Sequence, residues 1–142
     1  MFSTHCIQLT ALLYIHLSYD KQRYRAFRRV RGDGNCFYRS FLFALLEHLV
    51  ATLGVSEAAA TAEIHRLTGV ITSSKDALIS VGYQEIVFDS FQEALLEMLA
   101  SLKGKTLADL EQEFQVEDGI SIHLVWFCRL LTAAYLKMHA DR

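Results

Sequence analysis

The apolar residues of this chain recur at every third or fourth position, the spacing that places side chains on one face of an α-helix. The first such stripe follows Asn35 and consists of Phe37, Phe41, Leu45, Leu49 and Leu53. The second consists of Phe88, Phe91, Leu95, Met98, Leu99 and Leu102, and the third of Ile120, Leu124, Phe127, Leu131, Ala134 and Met138. The stripes predict helices whose apolar faces form the core.

Short polar or glycine-containing segments separate the predicted helices. Gly54–Glu57 separates the first helix from an alanine-rich one, Gly82 ends a short helix, and Lys103–Lys105 makes another break. Asp89 and Asp118 are predicted N-caps, because an aspartate side chain accepts hydrogen bonds from first-turn N–H groups. These signals set the predicted ends of the helices.

Strand signal is thin and is confined to Arg25–Val30 and Glu85–Phe88. The chain has 142 residues, of which 52% are hydrophobic and 21% are charged, and it contains no proline, repeat or low-complexity linker. This size and composition match a single globular domain. The sequence therefore predicts one mainly helical domain.

The formal net charge of −2 argues against general nucleic-acid binding, which usually needs a basic domain. One local basic stretch consists of Lys21, Arg23, Arg25, Arg28, Arg29 and Arg31. Such a cluster could contact phosphate or an acidic partner, but we favour a solvated strand or turn. We predict no nucleic-acid partner.

The N-terminal residues 1–17 are largely apolar but include His5, Gln8 and His16. They lack the basic start and the small-residue cleavage pattern of a secretory signal, and the stretch is too short and too polar to span a bilayer. We predict an atypical N-terminal segment, residues 1–18, and no membrane association.

The strongest chemical signal is the turn that precedes the first helix. Gly32 and Gly34 bracket Asp33 and permit positive φ, so that backbone N–H groups can converge on an anion. Cys36 falls at the predicted helix start, where unpaired N–H groups and the helix dipole favour a thiolate. The dipole contributes only about 0.3–1 kcal/mol, so Cys36 would be partly activated without a partner base.

The other cysteines, Cys6 and Cys128, form with Cys36 neither a metal-ligand spacing nor a disulfide framework. This usage indicates a reducing compartment, and we predict no metal and no cofactor. Cys128 is predicted to be a small core residue.

The segment Phe27–Phe41 resembles the active-site segment of otubains, the ovarian-tumour (OTU) domain deubiquitinating cysteine proteases. Val81–Tyr83 with the following Phe88–Phe91 resembles the otubain middle region, and Phe127–Tyr135 resembles a long helix of the same family. The order and approximate spacing of these matches agree from about Tyr19 onwards.

The resemblance implies an α+β, papain-like OTU cysteine-protease fold, of which residues 19–142 would form a C-terminally truncated, mainly α-helical portion. It implies an isopeptidase that removes ubiquitin from lysine or from polyubiquitin. Cys36 would be the nucleophile, and Asp33 would give an oxyanion-hole N–H beside that of Cys36 or act as an active-site acidic residue.

Ubiquitin or polyubiquitin would be the partner, with ubiquitin-conjugating enzymes as further candidates. The location would be cytoplasmic, with the nucleus open as a second site.

Otubains carry their catalytic histidine near the C-terminus in a Gly-His-Tyr-like context, which this sequence does not contain. Its histidines are His5, His16, His48, His65, His123 and His139. His48 lies twelve residues after Cys36 on the same predicted helix, roughly 18 Å away at about 1.5 Å per residue. We predict that none of the six serves as the base and that the catalytic histidine is missing.

Two function classes therefore remain open. The chain is either an otubain-type isopeptidase represented by an incomplete copy, or a catalytically inactive ubiquitin-pathway binding module or non-functional fragment. In both cases we expect part of each apolar stripe to face water, because papain-like helices normally pack on a sheet.

Overall fold

The structure is a computed structural model that describes residues 28–117 and 119–140. The chain divides into two compact units, residues 1–30 and residues 31–142. Residues 28–30, the described end of the first unit, form no regular secondary structure. The predicted strand Arg25–Val30 is therefore not formed in its described part, and its first three residues lie outside the described ranges.

The described part of the second unit is built from α-helices and contains no β-strand. The helices are α1 (Cys36–Val55), α2 (Glu57–Ser80), α3 (Glu85–Ser101), α4 (Leu107–Gln115) and α5 (Ile120–Met138). A 3-10 turn, Leu102–Gly104, follows α3 directly. The prediction of a mainly helical portion is confirmed.

The helix boundaries follow the polar breaks of the sequence. The Ser56 hydroxyl accepts a hydrogen bond from the Ala59 N–H at 3.4 Å and caps α2 directly after α1 ends. Gly82 adopts φ of +93° in the turn after α2, a conformation that glycine takes without steric cost. The alanine-rich helix and the short helix predicted before Gly82 are one continuous element, α2.

Two predictions about α3 were wrong. Glu85–Phe88 is not a strand but the first turn of α3, and Asp89 lies inside that helix, whose N-cap is Gln84. The helical spacing of the apolar residues that begins at Phe88, a fully buried side chain, outweighs the local β-propensity of these positions. Asp118 lies outside the described residues, and Gly119 occupies the N-cap of α5.

The core lies where α1 packs on α2, α4 and α5, and where α3 packs on α2 and α5. Its largest fully buried side chains are Leu42, Leu46, Leu49, Leu78, Phe88, Met98, Leu99, Leu102, Leu110, Leu124, Val125 and Phe127. The predicted stripe of α3 is buried or partly buried throughout. The predicted stripe of α5 is also buried or partly buried, except for Met138, which is exposed.

The predicted stripe of α1 was right at Leu45, Leu49 and Leu53, which are buried or pack against the core, and wrong at Phe37 and Phe41. Leu42, Leu46 and Leu49 face the core, whereas Phe37 is 71% exposed and Phe41 is 56% exposed. Because α1 carries apolar residues on more than one face, periodicity alone could not say which face is buried. The expectation that part of each stripe faces water agrees with the exposed phenylalanines of α1 and with Met138 of α5, but not with the stripe of α3.

Within the described ranges, α1 and α5 are long and apolar enough to cross a membrane by length and composition alone. Core helices of soluble proteins pass the same test, and both helices pack against their neighbours here. This is a weak indication, and the absence of membrane association stays a prediction.

Candidate active site

The turn before α1 has part of the geometry that its glycines predicted, because Gly34 takes a positive φ and Gly32 does not. Gly34 adopts φ of +77°, which lets the chain reverse just before the helix. The Asn35 N–H donates to Asp33 Oδ1 at 2.9 Å. Cys36 is then the first residue of α1, and its side chain is exposed.

The N-terminus of α1 has no side-chain cap, although asparagine is a favoured capping residue. The Asn35 side chain points elsewhere, since its Oδ1 accepts a hydrogen bond from Arg129 Nη1 of α5 at 2.6 Å. The backbone N–H groups of Asp33 and Cys36 have no acceptor among the described residues. Within the described residues, the Cys36 N–H is therefore an unpaired donor in the same residue as the thiol, at a helix start where an anion would be stabilised.

The Asp33 carboxylate is held within the same turn. Oδ1 accepts from the Asn35 N–H, and Oδ2 accepts from Arg39 Nη2 at 2.6 Å. The hydrogen bond from the Asn35 backbone, followed by that from Arg39, keeps the pKa of Asp33 below its usual value. Asp33 is therefore anionic at neutral pH, and each carboxylate oxygen is already engaged.

Three arginines connect this turn to the end of α4 and to α5. Arg31 donates to the carbonyl oxygens of Gln115 at 3.0 Å and Glu117 at 3.2 Å. Arg39 of α1 donates to Ser121 Oγ at 2.7 Å, and Arg129 holds Asn35. Arg31 of the basic stretch lies in an irregular, partly exposed segment, as a solvated turn predicts, and its guanidinium is also bound by backbone carbonyl oxygens. Lys21, Arg23 and Arg25 lie outside the described residues.

Sequence reasoning missed Arg39, Arg129 and Ser121 as parts of this site. Arg39 is only 5% exposed, and it precedes Leu42 and Leu46 by three and seven positions on the buried face of α1. A cation at helical spacing from core leucines was the available signal, since arginine is rarely buried without partners. Ser121 and Arg129 lie far along the sequence from the turn, so no local pattern indicated that they contact it.

An open groove of about 670 Å³ lies beside the turn. Its lining includes Gly34 of the turn, Tyr38 of α1, Phe91 of α3, and Trp126 and Arg129 of α5. Most of the exposed lining is apolar, so the groove offers a contact surface for a chain segment that approaches Cys36.

No histidine among the described residues is hydrogen-bonded to Cys36. His48 and His65 are exposed on α1 and α2. The His123 ring stacks on Phe91 with 5.6 Å between centroids, and His139 stacks on Tyr135 at 4.2 Å. His5 and His16 lie outside the described residues. The missing base stays a prediction.

Cys128 is partly buried and packs against the core. Burial raises the pKa of its thiol to about 11, which makes it a poor nucleophile at neutral pH. Across the described residues, no cluster of three or more histidine, cysteine, aspartate or glutamate side chains could hold a metal ion.

An exposed thiol at a helix N-terminus, with unpaired N–H donors beside it, is an arrangement that cysteine-dependent hydrolases use. The family model described as Peptidase C65 Otubain matches residues 7–142. The chain belongs to the otubain family, as the resemblance of its active-site segment predicted.

Named relatives agree with this membership. The Arabidopsis thaliana "OVARIAN TUMOR DOMAIN-containing deubiquitinating enzyme 1" is 32% identical over 123 residues, which cover 84% of this chain and 38% of that protein. The Homo sapiens "Ubiquitin thioesterase OTUB1" is 35% identical over 117 residues, covering 82% and 40%. The Homo sapiens "Ubiquitin thioesterase OTUB2" is 32% identical over 121 residues, covering 84% and 48%.

The chain thus spans between about two fifths and half the length of these relatives. Membership implies a papain-like fold and places the chain in a family of deubiquitinating thiol hydrolases. The boundary between residues 18 and 19 stays a prediction, because residues 1–27 lie outside the described ranges.

Proposed function

We propose that this chain acts in the removal of ubiquitin from lysine side chains or from polyubiquitin, with Cys36 as the nucleophile. One observation carries the proposal: Cys36 is exposed at the uncapped start of α1, and its backbone N–H has no acceptor among residues 28–117 and 119–140. The names of the relatives supply the substrate class, ubiquitin conjugates.

The chemistry follows from this arrangement. The Cys36 thiolate attacks the carbonyl carbon of the isopeptide bond, and the N–H groups of Asp33 and Cys36 stabilise the oxyanion that forms. The intermediate collapses to a thioester as the lysine amine leaves with a proton from a general acid. Water then hydrolyses the thioester and frees the Cys36 thiol.

The two function classes differ in whether the chain contains a residue that can supply a proton to the leaving lysine amine. No histidine of the described residues pairs with Cys36, and an amine leaves poorly without a proton. We infer that residues 1–142 alone bind ubiquitin and react at Cys36 without turning over an isopeptide. The same observation favours the second candidate, a catalytically inactive ubiquitin-pathway module.

The remaining partners and the location are part of this proposal. Ubiquitin-conjugating enzymes are candidate partners, and neither a cofactor nor a metal is required by the chemistry. The cytoplasm is the proposed site of action, with the nucleus as a second location, since a reactive thiol needs a reducing compartment.

The test is the reaction of purified residues 1–142 with ubiquitin that carries a C-terminal vinyl sulfone, alongside cleavage of diubiquitin. We expect one covalent adduct on Cys36 and no detectable cleavage. Cys36→Ala should abolish the adduct, and Cys128→Ala is the matched control that should retain it.

Each outcome separates the alternatives. An adduct together with diubiquitin cleavage would show that a residue of this chain supplies the proton, against our inference about the base. Absence of an adduct in a cooperatively folded chain, with iodoacetamide still modifying Cys36, would overturn the proposal that ubiquitin is recognised.

A further inference from the structure

Arg39 joins the catalytic turn to α5 from a buried position. Its Nη2 donates to Asp33 Oδ2 at 2.6 Å and its Nη1 donates to Ser121 Oγ at 2.7 Å. Arg39 is 5% exposed and Ser121 is fully buried in the first turn of α5. A single guanidinium therefore fixes the turn relative to two helices.

Stability alone does not account for this arginine. The Arg39–Asp33 ion pair is buried only on the arginine side, and burial of the guanidinium carries a desolvation cost that offsets part of the attraction. The Arg39 Nε is also buried without a hydrogen-bond partner among the described residues, which adds a further cost. Departures from good polar pairing of this kind are expected at functional sites.

The contacts of Arg39 lead to the N–H groups beside the thiol. Arg39 holds one oxygen of Asp33, and the other oxygen accepts from the Asn35 N–H. This bond fixes the Gly34–Asn35 peptide unit, which is next to the Asn35–Cys36 unit that carries the Cys36 N–H. The next N–H along the chain is that of Cys36, which has no acceptor within the described ranges.

We propose that Arg39 is a positioning residue: through Asp33 it holds the turn so that the Asp33 and Cys36 N–H groups converge on one oxyanion. The inference rests on Cys36 being the nucleophile. Arg39 touches no reacting atom, so its loss should matter only for reactions at Cys36 that pass through an oxyanion.

Two electrophiles separate this role from a structural one. A small N-acetylglycine thioester is attacked by Cys36 at its carbonyl carbon, forms a tetrahedral oxyanion, and then expels a thiolate, so that the acyl group moves to Cys36 without a general acid. Iodoacetamide reacts by displacement of iodide at a saturated carbon, and no oxyanion forms. The ratio of the two rates therefore reports on the oxyanion donors.

For Arg39→Met we expect acyl transfer from the small thioester to slow by about 10- to 100-fold, less than or similar to the loss of a direct oxyanion donor. Iodoacetamide modification of Cys36 should change by less than about threefold. Arg39→Lys should recover part of the loss, since lysine keeps the charge but not the forked geometry. Both rates are measured on Cys36 by intact-protein mass spectrometry.

A destabilised variant with an intact turn is the matched control. Gln92 of α3 is also buried and donates to the Ile71 carbonyl oxygen at 2.7 Å, outside the arginine network. Gln92→Leu should lower the thermal midpoint and leave the ratio of the two rates unchanged. If Arg39→Met slowed both reactions by the same factor or slowed neither, the ratio of the two rates would be unchanged and the proposal would be overturned.

Ser121→Ala covers the case in which Arg39→Met does not fold. It removes one of the two Arg39 contacts and should slow acyl transfer by about 3- to 10-fold; an unchanged rate ratio in this variant would also count against the proposal. Repeating the assay with a ubiquitin C-terminal thioester separates the two hypotheses. If Arg39→Met slowed the reaction with the small thioester while the unmutated protein did not react with the ubiquitin thioester, ubiquitin recognition would be refuted. The positioning role of Arg39 would still stand.

Discussion

Cys36 and Cys128 are the same residue type in helices of the same domain, yet their surroundings are opposite. Cys36 is exposed at the first residue of α1, beside backbone N–H groups that have no hydrogen-bond acceptor among the described residues. Cys128 lies in the middle of α5, partly buried against the core, where burial raises the pKa of its thiol to about 11.

The difference shows that position within a helix decides what a cysteine can do. At a helix start the backbone supplies unpaired donors, and exposure lets an electrophile approach. In the middle of α5 the N–H groups of the backbone are paired within the helix, and the thiol serves as a small apolar side chain. The predicted core role of Cys128 agrees with this packing.

The largest expected effect is the difference in alkylation rate between the two thiols. A pKa of about 11 leaves roughly one Cys128 thiol in a thousand ionised at pH 8, and the thiolate is the reactive form. We expect iodoacetamide to modify Cys36 at least about 100-fold faster than Cys128. Time-resolved peptide mass spectrometry of the native protein measures both rates, with Cys6 followed as a separate peptide.

The control for this comparison is the same reaction in denaturing urea, where the local environments are lost. The rates of Cys36 and Cys128 should then agree within a few-fold. Comparable rates in the native protein would contradict the assignment of Cys128 to the core.

The parts of the structure that depend on local signals were predicted from the sequence. The turn Gly32–Gly34 and the position of Cys36 follow from local signals, glycines before an apolar helix, and the structure has both. The stripes of α3 and α5 were also predicted, although α5 carries further apolar residues, Trp126, Tyr135 and Leu136, that are exposed.

The parts that sequence reasoning missed depend on distant contacts. The core-facing side of α1 could not be chosen from periodicity, because Phe37 and Leu42 are both apolar and the choice depends on which neighbours pack against them. The partners Arg39–Ser121 and Arg129–Asn35 lie 82 and 94 positions apart. Only the packing of α5 against α1 brings them together.

Replacing Gly34 or Gly69 by alanine should have a smaller effect, which is measured as a change in the free energy of unfolding. Gly34 has φ of +77° with nothing within 4 Å of an added Cβ, so Gly34→Ala should cost about 1–2 kcal/mol through backbone strain alone. Gly69 lies inside α2 with equally open space, and Gly69→Ala should stabilise by about 0.5–1 kcal/mol. Urea unfolding measures both free energies.

The same pair of variants tests how local the cysteine environments are. Gly34→Ala should slow acyl transfer to Cys36 and leave the alkylation rate of Cys128 unchanged, while Gly69→Ala should affect neither. A loss of stability in Gly69→Ala would contradict the open space around Gly69, and a changed alkylation rate of Cys128 in Gly34→Ala would show that the turn and the core are coupled.

The smallest effect concerns acid stability near Cys36. The Asn35 N–H and Arg39 lower the pKa of Asp33 in the folded protein, so its contribution to stability is present above the unfolded value, near 3.8, and is lost as pH falls through the folded pKa. We expect Asp33→Asn to have a lower thermal midpoint than the parent at pH 7. That difference should narrow as the pH falls below about 4.

Asp109 provides the matched control, because the Thr106 hydroxyl and backbone lower its pKa in the N-terminal capping box of α4. Asp109→Asn should show the same narrowing in acid, since its carboxylate is also stabilised in the ionised form. Only Asp33→Asn should also slow acyl transfer to Cys36 at pH 7, because only that carboxylate holds the Asn35 N–H. Equal effects of both variants on Cys36 would mean that Asp33 stabilises the domain without orienting the turn.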